Sequence, residues 1–136
     1  MNQGTLVGDW MTEGVVCVAP DATIEDASRL MGSNAVRRLP VTHNGRAVGV
    51  LSAGDLRAAM SSLEAQKVVG GESLVPLVEE VMTPDPITIP PDASLALAAQ
   101  TMLQLKVSGL PVVDEEGQLI GVISASDLFR YIIATC

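Results

Sequence analysis

The chain has 136 residues, of which 48% are apolar and 2% aromatic, and its formal net charge at pH 7 is −8. This length and apolar content suffice for one compact domain or for two small halves that share a core, while the acidic charge argues against nucleic-acid binding, which needs a basic surface. The chain start lacks a signal-peptide pattern, no apolar run reaches the roughly 18 residues of a membrane helix, and the two cysteines suit a reducing compartment, so we expect a cytoplasmic protein without a membrane segment.

The first half of the chain predicts a strand, a helix, two strands and a second helix, in that order. Short β-branched runs indicate the strands, and apolar residues at helical spacing indicate the helices. The two later strands are apolar without clean alternation, which indicates burial on both faces, and the turn His43-Asn44-Gly45 joins them as a hairpin. The predicted strands are residues 15–18, 39–42 and 47–51, and the predicted helices are residues 24–31 and 53–60.

The second half of the chain repeats this order. The octapeptide GVLSAGDL at residues 49–56 returns as GVISASDL at residues 121–128, LPV at residues 39–41 returns at 110–112, and Met11-Thr12 returns as Met82-Thr83. The offset is about 71 residues throughout, which marks an internal repeat. Strands are predicted at residues 87–89, 110–113 and 119–123, and helices at residues 93–105, capped by Asp92 or Ser94, and 124–133.

The repeats predict the domain organisation: a first repeat at residues 1–64, a linker at residues 65–80 and a second repeat at residues 81–136. Gly70-Gly71 breaks the linker. Residues 74–81 predict a short helix that leads into Met82, and residues 6–11 are its counterpart before the first repeat. The expected fold class is α+β, with two β-α-β-β-α units related by a pseudo-twofold axis.

Each octapeptide places a serine and an aspartate one helical turn apart at a predicted helix start, as Ser52 with Asp55 and as Ser124 with Asp127. Unpaired N–H groups at a helix start favour anions, and a carboxylate beside them can accept hydrogen bonds from a sugar diol. This combination suits a ribonucleotide. The same Ser-x-x-Asp spacing resembles a capping box, in which the two side chains only close the helix start. These four residues leave both interpretations open.

Positive charge is concentrated in the first repeat. Arg37 and Arg38 stand directly before LPV, where the second repeat has Ser108 and Gly109. Two arginines can bind phosphate through bidentate hydrogen bonds, and they can equally form ion pairs with some of the 16 acidic residues. The two repeats are therefore expected to differ electrostatically.

These motifs resemble a tandem pair of CBS domains, the module named after cystathionine β-synthase. The resemblance extends over nearly all of residues 9–133, and the Met-Thr, LPV and Gly-h-h-Ser-x-x-Asp motifs (h is apolar) occur twice in the same order. It implies two units packed through their sheets, clefts between them that bind adenine nucleotides or S-adenosylmethionine, and a homodimer of such pairs.

Residue by residue, the resemblance implies two nucleotide sites. One site uses Ser124, Ser126 and Asp127 for ribose and phosphate, Thr12, Val16 and Cys17 at the base, and Val36 and Arg37 nearby. The other uses Ser52 and Asp55, with Thr83, Ile87 and Thr88 at the base, Val107 and Ser108 nearby, and Arg37 and Arg38 at the phosphates. Unequal affinities are expected, and the arginines favour the Asp55 site for multiply charged ligands.

The predicted function is a regulatory module that binds AMP, ADP, ATP or S-adenosylmethionine and acts on an effector protein that the sequence does not identify. The alternative is a non-catalytic structural module that dimerises with empty clefts, which the capping-box interpretation and the acidic charge favour. An enzyme is not expected, because no metal-ligand cluster and no nucleophile paired with a base is apparent. The adenine nucleotide is expected as a regulatory ligand, with no resident cofactor.

Overall fold

Two compact units make up the part of the chain that the structure describes. The computed structural model describes residues 4–68 and 75–136, so the predicted break at Gly70-Gly71 lies outside the described residues. The first unit is Val16–Pro86, and the second unit joins the residues up to Val15 to Ile87–Cys136. The compact units and the sequence repeats therefore divide the chain at different places.

Each unit combines helices with an antiparallel β-hairpin, which confirms the predicted α+β class. The first unit contains α2 (Ile24–Asn34), β1 (Arg38–His43), β2 (Arg46–Ser52), α3 (Ala53–Val68), α4 (Val78–Val81) and β3 (Thr83–Pro84). The second unit contains α1 (Val7–Trp10), α5 (Leu95–Leu105), β4 (Gly109–Val113), β5 (Leu119–Ser124) and α6 (Ala125–Thr135). Antiparallel pairs join β1 with β2, β2 with β3, and β4 with β5.

The predicted helices and hairpins form where local sequence signals place them. Ser94, and not Asp92, caps α5, because its hydroxyl accepts a hydrogen bond from the backbone N–H of Leu97 at 3.0 Å. Asn44 and Gly45 both have positive φ, 53° and 80°, as a two-residue type I′ hairpin turn requires. The helix after β2 is longer than predicted and continues to Val68, inside the predicted linker.

The predicted first strand of each repeat is wrong, because each is reduced to a single β-bridge. In the first unit Val18 forms a parallel bridge with Val41: its N–H donates to the carbonyl of Pro40, and its carbonyl accepts from Thr42. Extending this parallel ladder in either direction would need the N–H of Pro40 or of Pro20, and proline has none. The ladder therefore stops after one residue.

The second unit repeats this restriction at the equivalent positions. Ile89 bridges Val112 in parallel, donating its N–H to the carbonyl of Pro111 at 3.0 Å and accepting from Val113 at 3.1 Å. Here the missing donors on either side are those of Pro111 and Pro91. Pro91 and Pro111 thus limit the pairing of the apolar run at residues 87–89.

Separate apolar clusters fill the two units, and they use matching residues about 71 positions apart. The first cluster consists of Val18, Ile24, Ala27, Met31, Leu39, Val41, Leu51, Leu56 and Val78. The second consists of Val7, Ile89, Leu95, Ala98, Met102, Leu110, Val112 and Ile123. The repeated pattern of apolar residues therefore builds the same small core twice.

The two short helices are exchanged between the repeats. The N–H of Val7 in α1 donates to the carbonyl of Ala93 at 2.8 Å, and the N–H of Val78 in α4 donates to the carbonyl of Ala22 at 2.8 Å. Both valines are completely buried. The segment that precedes each repeat thus completes the core of the other one.

Candidate functional site

The first Ser-x-x-Asp motif lies where β2 ends and α3 begins. The backbone N–H of Ser52 donates to Asp55 Oδ2 at 2.9 Å, and the backbone N–H of Asp55 donates to Ser52 Oγ at 3.0 Å. These reciprocal bonds form a capping box, so the capping interpretation holds for this helix. Both residues are partly exposed. Because an ionised carboxylate has about four lone-pair sites, capping leaves acceptor capacity on Asp55.

The second Ser-x-x-Asp motif forms the same capping box where β5 meets α6. The backbone N–H of Ser124 donates to Asp127 Oδ2 at 2.8 Å, and that of Asp127 donates to Ser124 Oγ at 3.3 Å. Here the hydroxyl of Ser124 also donates to Asp127 Oδ2, at 2.9 Å. The second carboxylate oxygen therefore already has two donors.

Two further groups contact the other oxygen of Asp127. The hydroxyl of Thr12 donates to Oδ1 at 3.2 Å, and the guanidinium of Arg130, one turn further along α6, forms an ion pair with it. The Asp127 side chain is 2% exposed, whereas that of Arg130 is 60% exposed. Thr12 and Asp127, which the resemblance assigns to one nucleotide site, thus contact each other directly within the second unit.

Arg37 and Arg38 lie at the start of α3, beside the first motif. Arg38 is directly opposite Ser52 in the antiparallel ladder, so their side chains project from the same face. The carbonyl of Arg37 accepts a hydrogen bond from the N–H of Ala53, the first residue of α3, at 2.8 Å. Both arginines are exposed. The structure therefore places two cations on the same unit as this aspartate.

The equivalent positions beside α6 are uncharged. The carbonyl of Ser108 accepts from the N–H of Ala125 at 2.9 Å, and Gly109 is opposite Ser124 in the ladder. The predicted electrostatic difference between the repeats is thus a difference between two matching helix starts.

Thr83 belongs to the same unit as Asp55, and its placement matches that of Thr12 in the second unit. Thr83 pairs with Val50 in the β2–β3 ladder, as Thr12 pairs with Val122. Thr83 is exposed. Each Met-Thr motif therefore lies against the strand that leads into a Ser-x-x-Asp motif.

The other predicted site residues are distributed over both units. Val16, Cys17 and Val36 lie in the first unit, and Ile87, Thr88, Val107, Ser108 and Ser126 lie in the second. Cys17 is exposed, and its Sγ accepts a hydrogen bond from the hydroxyl of Thr42 at 3.4 Å. The grouping of these residues into nucleotide sites with Asp55 or Asp127 stays a prediction.

Sequence reasoning missed Arg130, the cation that contacts Asp127. The signal was present, because an aspartate and an arginine three residues apart on a helix are neighbours on its surface. The first repeat has Ala58 at the matching position. The two motifs, which look alike as sequences, therefore differ in charge one turn into the helix.

A second feature of the site region is an apolar groove of about 750 Å³ in the second unit. It lies beside α5 and α6 and is lined by residues such as Leu103, Val107, Phe129 and Ile132. Leu103 is 80% exposed, Phe129 63% and Ile133 77%. The sequence analysis did not identify this groove, because it depends on the packing of two helices.

The described residues, 4–68 and 75–136, hold no candidate metal site and no candidate membrane span. In these ranges no group of three or more His, Cys, Asp or Glu side chains is arranged to hold a metal ion. No helix in them is both long enough and apolar enough to cross a membrane.

Comparison with known proteins identifies matches over most of the chain. The family model of the CBS domain matches residues 7–62 and 78–134. The homoserine O-acetyltransferase of Methanococcoides burtonii is 36% identical over 129 residues, which are 94% of this chain and 24% of the enzyme. The chain spans less than half the length of each of the first four curated relatives that it matches.

Solved structures with the same fold include complexes with adenosyl ligands. CBSX2 of Arabidopsis thaliana in complex with AMP has a TM-score of 0.84 and 34% identity, covering 96% of this chain and 98% of its own. The CBS domain pair of the protein MJ0100, in complex with 5′-methylthioadenosine and S-adenosyl-L-methionine, has a TM-score of 0.80 and 25% identity, covering 97% and 98%.

Proposed function

We propose that this chain, which belongs to the CBS domain family, is a regulatory module that binds an adenine nucleotide or a related adenosyl ligand. The observation that carries this proposal is the match over 96% of the chain to an AMP complex, together with a partly exposed aspartate at a helix start that has arginines beside it. The ligand binds without a chemical reaction. We propose no catalytic residue and no resident cofactor.

The chemistry of the first motif supports this ligand class. The carboxylate of Asp55 has lone pairs left for the hydroxyl groups of a ribose. Arg37 and Arg38, next to the N–H groups at the start of α3, offer positive charge to a phosphate. Since the whole chain carries a net charge of −8, an anionic ligand needs such local cations against the surrounding field. The remaining predicted residues of both sites are part of the proposal.

Regulation follows if the ligand favours one state of the protein over another. A ligand shifts an equilibrium only by the difference between its affinities for the two states. The effector is proposed to be a separate protein or a further part of a longer chain, since the related enzymes are about four times as long as the matched region. We propose the cytoplasm as the location, which the two free, exposed cysteines support.

We further propose that the chain forms a homodimer through the apolar groove and the exposed apolar side chains of α5 and α6. A contiguous exposed apolar surface of this kind is typical of an interaction site. A second copy of the chain offers the same surface, which is the requirement for a twofold interface.

Isothermal titration calorimetry with AMP, ATP and S-adenosylmethionine tests the nucleotide proposal. Asp55→Ala is expected to weaken AMP binding by about tenfold or more, because a hydrogen bond to a charged group contributes roughly 1.5–3 kcal/mol. Replacing Arg37 and Arg38 together by alanine is expected to weaken ATP binding more than adenosine binding. Equal losses for both would remove phosphate contact as the role of the arginines.

A matched control separates binding from capping. Thr23 and Asp26 form the same capping box at the start of α2, with bonds of 3.2 Å and 3.1 Å. Asp26→Ala therefore removes a comparable cap and is expected to lower stability while AMP affinity stays unchanged. If Asp55→Ala has only this effect, Asp55 is a cap and no more.

The second candidate function is a structural dimerisation module without a bound nucleotide. Both capping boxes and the apolar groove favour it, since they need no ligand. The absence of binding heat for all three ligands, together with a stable dimer, would establish this alternative.

A further inference from the structure

We infer that the two Ser-x-x-Asp motifs have different roles: Asp55 binds the ribose of the nucleotide, whereas Asp127 is a structural residue whose acceptor sites are closed by Arg130 and Thr12. The inference rests on the proposed function and adds to it which motif takes the ligand. It predicts one nucleotide per chain.

The hydrogen bonds of Asp127 exhaust its acceptor capacity. Oδ2 accepts from the backbone N–H and the hydroxyl of Ser124, and Oδ1 accepts from the Thr12 hydroxyl and the Arg130 guanidinium. These four donors match the roughly four lone-pair sites of a carboxylate. The side chain is 2% exposed. A ribose hydroxyl can reach Asp127 only by displacing one of the four donors.

Asp55 has the opposite properties. Its Oδ2 accepts one hydrogen bond, from the backbone N–H of Ser52, and among the described residues of the first unit its Oδ1 accepts none. The residue is partly exposed. Asp55 therefore combines a position fixed by its helix start with free acceptors, which is the arrangement that a sugar diol requires.

A single position in the sequence explains most of this difference. Arg130 follows Asp127 by three residues, where the side chains of a helix meet, and the matching residue after Asp55 is Ala58, which is exposed. Alanine offers no charge to Asp55. The guanidinium of Arg130 gives Asp127 a cationic partner in an ion pair.

The positions of the arginines favour the same motif for a phosphorylated ligand. Arg37 and Arg38 lie beside the start of α3, while Ser108 and Gly109 lie beside the start of α6. A phosphorylated ligand at Asp55 would lie beside the strand start that carries these two arginines, whereas the matching positions beside Asp127 are uncharged. Open acceptors and neighbouring arginines thus coincide in the first unit.

The first test is the stoichiometry of AMP binding by calorimetry on the whole chain. The wild type is expected to bind one AMP per chain, and Asp55→Asn is expected to weaken this event by about tenfold or more while the protein remains folded by circular dichroism. Two AMP molecules per wild-type chain, or one AMP that Asp55→Asn binds as tightly as the wild type, would overturn the inference and leave the proposed function in place. If AMP, ATP and S-adenosylmethionine all fail to bind the wild type, the proposed function fails and the inference fails with it.

The second test places an arginine beside Asp55, at the position that matches Arg130 in the second repeat. Ala58→Arg gives Asp55 the same partner at the same spacing as in α6, so AMP binding is expected to fall by about tenfold or more. The added positive charge would by itself attract an anionic ligand, so a loss cannot result from net charge. Ala58→Gln, with a long uncharged side chain, is the matched control and is expected to change AMP affinity less than about twofold.

The reverse substitution, at Arg130, is expected to free an acceptor site on Asp127. Arg130→Gln removes the guanidinium from Asp127 Oδ1, and a second, weaker AMP-binding event is expected. An Arg130→Gln chain that still binds a single AMP, or an Ala58→Arg chain that binds AMP as tightly as the wild type, shows that the cation does not close the motif and overturns the inference.

Discussion

The carboxylate of Asp55 caps a helix and keeps acceptor capacity, so capping is compatible with the sugar binding that we propose for it. Its Oδ2 closes the start of α3 through Ser52, and a carboxylate keeps further lone pairs for other donors. At Asp127 the same capping box leaves no lone pair available, because the Thr12 hydroxyl and the Arg130 guanidinium occupy those of Oδ1. The number of donors around each aspartate, and not the motif itself, therefore separates the two residues.

Asp26 gives a prediction about pH. The hydrogen bond from the backbone N–H of Thr23 is the main cause that lowers the pKa of Asp26, followed by its side-chain hydroxyl, and Arg29 contributes further. A carboxylate with a lowered folded-state pKa stabilises the fold above its unfolded-state pKa, and this stabilisation is lost as the pH falls through the folded-state pKa. Asp26→Asn is therefore expected to make the free energy of unfolding fall less steeply with acidification.

Urea unfolding measured from about pH 7 to about pH 3 checks this expectation. Asp21→Asn, at an exposed position just before α2, is the control and should keep the wild-type slope. Identical slopes for wild type and Asp26→Asn would show that the Thr23 hydrogen bond has no influence on folding stability.

Gly121 gives a second prediction at the scale of single residues. A Cβ there would lie 2.8 Å from the carbonyl oxygen of Thr12, whereas a Cβ at Gly32 in α2 has no neighbour within 4 Å. Gly121→Ala is expected to lower the free energy of unfolding by about 1–3 kcal/mol, and Gly32→Ala to raise it by up to about 1 kcal/mol. Chemical denaturation measures the free energy of unfolding of both variants. A Gly121→Ala chain as stable as the wild type would show that the Thr12 backbone shifts away from the added methyl group at little cost in free energy.

Among the helices and strands, the main feature is that α1 and α4 are exchanged between the two repeats. Neither four-residue helix is long enough to be stable alone, and each is held by backbone hydrogen bonds to the repeat that it does not precede. The T-shaped contact of Trp10 with Tyr131, at a centroid distance of 5.5 Å, adds an aromatic anchor for α1. The second unit therefore depends on the start of the chain.

Val7→Ala tests this dependence. Val7 is completely buried in the second core, and removing its two methyl groups is expected to cost about 2 kcal/mol of unfolding free energy. Leu6→Ala is the neighbouring control, because Leu6 is 41% exposed, and its effect is expected to stay within about 0.5 kcal/mol. Equal effects of the two variants in urea denaturation would show that α1 is not anchored through Val7.

At the scale of the whole molecule, the apolar groove of the second unit and the net charge of −8 act in opposite directions on self-association. We expect the apolar surface to prevail, because Leu103, Phe129 and Ile133 are all more than half exposed in a single chain. Phe129→Asp is expected to shift the chain from dimer to monomer in sedimentation velocity, with at least about tenfold weaker association. Val75→Asp, at a partly exposed apolar residue of the first unit, is the control.

A wild-type chain that sediments as a monomer contradicts the dimer proposal. A dimer that Phe129→Asp leaves intact shows that a different surface joins the two copies. Either result leaves the nucleotide proposal unaffected, because calorimetry measures ligand binding per chain.

Most of the fold could be predicted because its signals are local. Ser94, the Asn44-Gly45 turn and the LPV strands act through neighbouring residues, and the repeat presents each signal twice. The two first strands were predicted wrongly, although Pro20, Pro40, Pro91 and Pro111 carried the necessary information. Their effect requires knowledge of which strand lies alongside, because a missing N–H matters only where a partner would accept its hydrogen bond.

The family, the duplicated unit, the helix caps and the residue types at the two motifs follow from the amino-acid sequence, because each depends on short motifs whose residues lie within a few positions of one another. Which repeat receives α1 and which receives α4 depends on the path of the folded chain, since the carbonyl groups of Ala22 and Ala93 are chemically equivalent acceptors for the N–H groups of Val78 and Val7. The tertiary structure also brings Thr12 to Asp127. Three of the four donors to Asp127 belong to Ser124 and Arg130, within three residues of it, and their spacing is visible in the sequence. The fourth donor, the Thr12 hydroxyl, lies 115 residues away along the chain, and nothing in the spacing of Ser-x-x-Asp indicates its presence there.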